Sequence, residues 1–236
     1  MNGHNHIGSR VLYEDNHLLV INKLPSEIVQ ADKTGDIPLS ELAGRYIADK
    51  YAKPGKAFLG VVHRIDRPVS GAVIFARTSK ALSRMNAMLK SRSLEKTYWA
   101  VVQSPPPRPE GQLSHWLKKN EKQNKSYVVG PETPGARQAL LRYRLLAESD
   151  RYHLLGIELI TGRHHQIRAQ LSAEGCPVKG DLKYGAGRPN PDGSVHLHAR
   201  SIRFAHPVGG AEISIVAPAP TADPLWVFFE NACRQP

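Results

Sequence analysis

A chain of 236 residues, 41% hydrophobic and 22% charged, can enclose one substantial core or two small lobes and has the composition of an ordinary soluble globular protein. It holds no run of about 18 apolar residues, Met1 to His6 lead into no hydrophobic signal segment, and Cys176 and Cys233 form neither a CxxC pair nor a zinc-ligand spacing. A membrane span, secretion, a disulfide framework and a cysteine-based metal site are therefore not expected, and the expected compartment is the cytoplasm. The net charge of +11 is unevenly spread. Residues 1–59 carry 7 basic and 7 acidic side chains, residues 60–144 carry 16 and 5, and residues 145–236 carry 9 and 9. A basic surface concentrated in the middle of the chain attracts a polyanion, and nucleic acid is the commonest one in the cytosol.

In chain order, the polar run Tyr13 to Asn16 precedes His17 to Ile21, which reads as a buried strand. Pro25, Gly35 and Pro38 mark a loop before a helix at about Leu39 to Tyr51, with Leu39, Leu42, Tyr46 and Ile47 on one face. Val61 and Val62 lead into a charged turn, and Ala72 to Ala76 leave it as a second buried strand. Thr78 or Ser79 caps a helix whose Leu82, Met85 and Leu89 recur at spacings of three and four, so its methionines read as packing. Lys96 to Val102 has strand composition and ends at a proline run, Pro105 to Pro107. Strands follow at Ser126 to Val129, Leu140 to Ala147 and Tyr152 to Ile160, the last two joined by a polar turn. A helix is predicted from about Arg163 to Ala173, with Thr161 as N-cap and Gly175 as its stop. Strands at His196 to Phe204 and Glu212 to Val216 lead to a final helix capped by Asp223, with Pro224 at its first position and Trp226, Phe228 and Phe229 as anchors. Strands outnumber helices and several are joined by short turns, which predicts an α+β protein with a mixed, mostly antiparallel sheet.

The charged turn is His63-Arg64-Ile65-Asp66-Arg67-Pro68-Val69-Ser70-Gly71, a carboxylate set between arginines on a loop joining two strands. Positive neighbours favour its ionised form, and an ionised acid can attack an electrophile; equally, the turn could be an exposed ion pair of little consequence. Two more segments add weight to the first reading. One is Lys96-Thr97-Tyr98; the other is Thr161-Gly162-Arg163-His164-His165-Gln166-Ile167-Arg168, followed by Gly180-Asp181-Leu182-Lys183-Tyr184-Gly185. Taken singly, Tyr98 reads as a packed core tyrosine and Arg168 as a helix cap or phosphate ligand. His63, His164 and His165 suggest a metal only superficially, because adjacent histidines point to different helix faces and no acidic partner falls at ligand spacing. Asp181 reads as a cap or brace for its turn.

In this order, the segments resemble the RluA family of RNA pseudouridine synthases, and the resemblance runs from Tyr13-Glu14-Asp15 to Leu197-His198-Ala199 and His206-Pro207. It implies a pseudouridine synthase fold with a catalytic cleft between two halves of one domain spanning residues 1–236, no cofactor and no metal. It implies that Asp66 is the essential aspartate, that Tyr98 stacks on the target base, that Arg168 holds Asp66 in an ion pair, and that Arg64 enters the RNA beside the extruded nucleotide. The expected RNA-contacting side chains are Arg64, Arg67, His63, Lys96, Arg163, Lys118, Lys119, Lys122 and Lys125. Departures from the family pattern fall at Leu24, Gln30, Val69 and Gln170, none of them assigned to chemistry. The chain begins almost at the catalytic domain, which leaves no room for an S4 domain, so recognition of ribosomal or transfer RNA is expected from the catalytic domain of a monomer.

The chemistry fits that assignment. Converting uridine to pseudouridine breaks N1–C1′, turns the detached uracil and joins C5 to C1′. The site needs a carboxylate at the sugar, a surface that holds the free base and a group that takes the C5 proton. Asp66 can attack C1′ or assist deprotonation at C2′. Tyr98 offers a stacking face and a hydroxyl, although an ordinary phenol near pKa 10 is a poor base at neutral pH. The nucleotide must be flipped out, and an arginine filling the gap offsets part of the unstacking cost. Two other classes compete. A non-catalytic RNA-binding protein would need only the positive charge. A metal-dependent nuclease would need clustered carboxylates, and the middle segment has five acidic residues in 85 positions.

Overall fold

A computed structural model describes residues 7–234; Met1 to His6, from which the lack of a signal segment is read, lie outside the described residues. The chain divides into two compact units, residues 1–95 with 199–218 and residues 96–198 with 219–236.

In the first unit, strands β1 (Val11–Glu14), β2 (Leu18–Lys23), β4 (Ser70–Ala76) and β10 (Leu197–Ala205) are neighbours in that order, with β3 (Gly60–Val61) on β4 and β11 (Glu212–Val216) on β10. β2 and β4 are antiparallel, with Leu19 opposite Phe75 and Ile21 opposite Val73. Both are apolar on each face because both faces are covered, which explains their continuous hydrophobic runs. Helix α1 (Leu39–Lys50) buries Leu39, Ala43 and Ile47. Helix α2 (Ser79–Ser91) is capped as expected, Thr78 Oγ1 accepting from the Ala81 amide at 3.1 Å. Its Met85 joins Leu18, Val20, Ile74 and Phe204 in the core, each such side chain contributing about 1.5–3 kcal/mol on burial.

The second unit is an antiparallel sheet in the order β5 (Glu95–Val102), β9 (His153–Leu159), β8 (Arg137–Glu148), β6 (Glu110–Asn120), β7 (Lys125–Val129). Eleven-residue β6 escapes the sequence reading because only Leu113 and Leu117 are buried along it; its pairing with β8 holds it, not its own pattern. Helix α3 (Gln166–Ala173) starts three residues later than predicted, and Thr161 does not cap it. The N-cap is His165, in the left-handed region at φ 52°, while the Thr161 hydroxyl donates to Gln166 Oε1 at 2.8 Å. Gly175, at φ 76°, stops the helix as expected. Helix α4 (Pro224–Ala232) has its Asp223 cap, whose Oδ1 accepts from the Leu225 amide at 2.8 Å. Trp226 and Phe229 anchor it against Trp99, Val101 and Leu154, but Phe228 is 46% exposed and is no anchor, because it faces away from that sheet. The fold class is α+β, as expected. Among the described residues, no helix is long and apolar enough to cross a membrane.

Candidate active site

In the first unit, residues 62–69 form the loop between β3 and β4, and Asp66 sits half-buried on it. Apolar side chains seat the loop: Val62, Ile65 and Val69 are buried. The Val69 amide donates to the Asp66 carbonyl at 3.0 Å, which closes the turn. His63 Nε2 accepts from the Ile74 amide at 3.2 Å, so this histidine ties the start of the loop to β4. Gly71 leaves the turn at φ 116°, where a Cβ would come within 2.5 Å of the Ala199 backbone, so only glycine fits.

Lys23, at the end of β2, does most to shape this loop, and the sequence reading assigned it no role. Its side chain is fully buried, and Nζ donates to the carbonyls of Leu24 at 2.8 Å, Arg67 at 3.0 Å and Val69 at 2.6 Å. Three acceptors use all three ammonium hydrogens and pin the chain on the C-terminal side of Asp66. Burial pushes the Lys23 pKa down to about 7, opposed by the charges of Glu27 and Asp66 and reinforced by Arg10 and Arg67. The signal available in the sequence was a lysine closing a strand that opens with four apolar residues.

Of the arginines flanking Asp66, Arg64 is exposed and has no hydrogen-bond or ion-pair partner among the described residues. Arg67 instead engages the loop before α1, lying 2.6 Å from Asp36 and donating to Thr34 Oγ1 at 2.8 Å.

In the second unit, Tyr98 lies on β5 with 6% of its surface exposed. Alternation along the strand sends Trp99 to the face covered by α4 and puts Lys96 on the face of Tyr98. Arg168 emerges from the first turn of α3 and is gripped in a two-pronged contact by Asp181, Nε to Oδ2 at 2.6 Å and Nη2 to Oδ1 at 2.8 Å. The two side chains are 5% and 1% exposed, so this is a buried, charge-assisted pair with defined direction. Asp181, read from the sequence as a cap or brace for its turn, thus braces Arg168; no side-chain cap bond forms at its own turn.

The segment before α3 is held by its own side chains, to which the sequence reading assigned no structural role. Gln166 Oε1 accepts from the Arg163 amide at 2.9 Å and its Nε2 donates to the Leu140 carbonyl at 3.0 Å. His165 Nδ1 lies 3.0 Å from the Tyr184 hydroxyl, and His164 stacks on His165 at 3.7 Å while reaching Ser126 Oγ and Asn124 Oδ1. These contacts hold the left-handed backbone of His165, a conformation that costs a non-glycine residue about 1–3 kcal/mol. Gln170, one of the departures from the family pattern, is fully buried and donates to the Leu113 and Ala139 carbonyls at 3.2 Å.

The basic residues form a graded set. Lys118, Lys119 and Lys122 are exposed on the β6–β7 hairpin, with Lys119 2.6 Å from Glu121. Lys125 lies over the rings of Tyr127 and Tyr184 at 5.1 and 5.0 Å. Arg163 Nε donates to the Gln138 carbonyl at 2.9 Å. Lys96 is half-buried, its pKa pushed down by burial alone. Asp66, Arg64, Arg67 and His63 therefore belong to the first unit, and Lys96, Tyr98, Arg163, Arg168 and the hairpin lysines to the second. Among the described residues, no group of three or more His, Cys, Asp or Glu is placed to hold a metal ion.

Comparison with known proteins bears on these residues as a set. Residues 17–173 match the family described as RNA pseudouridylate synthase. An uncharacterised RNA pseudouridine synthase of Synechocystis is 31% identical over 216 residues, covering 89% of this chain and 65% of that protein. The ribosomal large subunit pseudouridine synthase C of Vibrio vulnificus is 30% identical over 214 residues, covering 88% of this chain and 65% of its own length. The chain thus spans about two thirds of the length of these relatives. Among solved structures, human RNA pseudouridylate synthase domain containing 4 superposes with a TM-score of 0.75 at 22% identity, over 98% of this chain and 95% of that one, a likeness of fold.

Proposed function

This chain belongs to the RNA pseudouridylate synthase family, and from that premise we propose that it isomerises uridine to pseudouridine in structured RNA, with Asp66 as the catalytic carboxylate. One observation carries the reading: the matched residues 17–173 contain Asp66, Tyr98 and Arg168 together, in an ordered series that RNA binding alone does not require. Asp66 acts at the sugar, by attack on C1′ or by taking the C2′ proton. In both routes the C1′–N1 electron pair leaves with the uracil; C5 of the detached base then bonds to C1′, displacing the Asp66 carboxylate in the first route or with Asp66 returning the proton to C2′ in the second, and the C5 proton is removed to restore the ring. Tyr98 holds the base by stacking. Arg168, fixed in direction by Asp181, is assigned to steer the Asp66 carboxylate, as the family resemblance implies.

Arg64 suits the gap left by the flipped nucleotide because it is exposed and uncommitted. The hairpin lysines Lys118, Lys119, Lys122 and Lys125, with His63, Arg67 and Arg163, supply phosphate contacts whose strength falls with salt. The reaction is assigned to the cytoplasm and to a monomer. Ribosomal RNA is the first substrate to test, on the strength of the large-subunit name carried by the Vibrio vulnificus relative, and transfer RNA the second.

Mapping pseudouridine in both RNAs, with and without the gene, identifies the modified position. With that RNA, Asp66→Asn abolishes product while RNA affinity stays within several-fold; undiminished turnover in the variant would overturn the assignment.

A further inference from the structure

Lys96 stands apart from the other basic side chains of the site. It is half-buried on β5, and among the described residues its Nζ has no hydrogen-bond or ion-pair partner. Burial pushes its pKa down, and among the described residues no charged group offsets this. Withdrawing an ammonium from water without a partner is unfavourable, and elsewhere this protein avoids it, giving Lys23 three carbonyls and Arg168 a carboxylate. At Gly162, in the turn before α3, an added Cβ would meet Lys96 Nζ at 3.9 Å and, its chain neighbours aside, no other described atom within 4 Å, so the glycine leaves room there. Two residues along an extended strand put Lys96 and Tyr98 on one face, about 7 Å apart along the backbone.

We propose that Lys96 is a further catalytic residue, whose ammonium takes up the negative charge that collects on the uracil as the C1′–N1 bond breaks. The proposal rests on the pseudouridine synthase reading given above. The C1′–N1 pair passes to the base and spreads over N1, O2 and O4; Lys96 donates a hydrogen bond to one of the carbonyl oxygens without surrendering its proton. C5 of that anion then forms the new bond to C1′, and the charge on the oxygens disappears. Because the charge exists only after the bond begins to break, the interaction accelerates the chemical step and adds little to RNA affinity. A phosphate contact is less well served here, since the exposed lysines of the β6–β7 hairpin reach a backbone more easily than a half-buried one beside a stacking tyrosine.

The test uses the full chain with an unmodified large-subunit ribosomal RNA transcript, or the transfer RNA if mapping selects it. Single-turnover rates are measured beside RNA affinity across a salt series. Lys96→Met is expected to slow turnover by about 10²–10³-fold, with RNA affinity within threefold and the salt slope unchanged, while Lys96→Arg recovers part of the rate. With 5-fluorouridine at the target, whose detached base is a weaker base, the loss on Lys96→Met should shrink when consumption of the nucleoside is followed. The proposal is overturned if Lys96→Met turns over within threefold of wild type. It is equally overturned if its loss is matched by weaker RNA binding and a salt slope lower by about one phosphate, the signature of a backbone contact. If the wild-type chain forms no pseudouridine, the family-based activity falls and this proposal with it, an outcome distinct from either of the others.

Discussion

Lys23 and Lys96 are both withdrawn from water, one in each unit, and the protein treats them differently. Lys23 meets three carbonyl oxygens, two of them from residues just past Asp66, so its charge is spent on the shape of a loop. Among the described residues Lys96 meets none. Arg168 resembles Lys23 in being held, here by Asp181 at Nε and Nη2. The contrast separates cations that build the site from one left for what enters it: a satisfied buried cation is recognised by its geometry, an unsatisfied one by the geometry it lacks. If that division is right, removing each cation should move stability and activity in different proportions.

The largest stability effect belongs to Arg168. Arg168→Met leaves Asp181 buried without its partner, and urea unfolding should show a loss of about 3–5 kcal/mol. Adding Asp181→Leu should return most of that stability and none of the turnover, because an apolar pair fills the space but cannot steer a carboxylate. Full activity in the double variant would remove Arg168 from the machinery.

Lys23 comes next. Lys23→Met leaves three carbonyls facing an apolar chain, a cost partly offset by relieving a buried charge, and about 1–2 kcal/mol of destabilisation is expected at pH 6. The sign of the pH dependence follows from the depressed pKa. The folded protein releases this proton near pH 7, whereas the unfolded chain keeps it to its ordinary value near 10.5, so the unfolded state binds more protons between them and Lys23 makes stability rise with pH across that window. Urea midpoints measured from pH 6 to 10 should show that rise in wild type and a flatter profile in Lys23→Met. Turnover should run the opposite way, falling as pH climbs through about 7, since a neutral amine has only two hydrogens for three carbonyls.

What the sequence made legible follows the same division. β2, β4 and the caps of α2 and α4 can be read locally, since continuous apolar runs, Thr78 before a helical repeat and Asp223-Pro224 before another carry their own instructions. β6 cannot, because it is too polar to betray a buried face and is held by pairing with β8 and β7. The start of α3 was misplaced for a related reason: Gln166 recruits Thr161 and the Arg163 amide into a bonded loop, and a threonine before a helical run looks the same whether it caps or is itself held. At the site, Asp66, Tyr98 and Arg168 were legible as an ordered set. Lys23 and Asp181 were not, since their partners lie 44, 46 and 13 residues away and no spacing rule connects them.

The smallest expected change discriminates most sharply, and it returns to Lys96. A cation kept for structure should cost stability when removed; a cation kept for substrate should not. Burial with no partner depresses the Lys96 pKa, so wild type forgoes stability below that residue's ordinary titration range and regains some as pH rises towards it. Lys96→Met removes that penalty and keeps most of the apolar stem. Urea unfolding at pH 7 should therefore show a stability between unchanged and about 1 kcal/mol higher, with the gain shrinking towards pH 10, in the same variant whose turnover falls. A loss of more than about 1 kcal/mol at pH 7 would place Lys96 with Lys23 among the cations that build the fold, and the distinction between the two lysines would collapse.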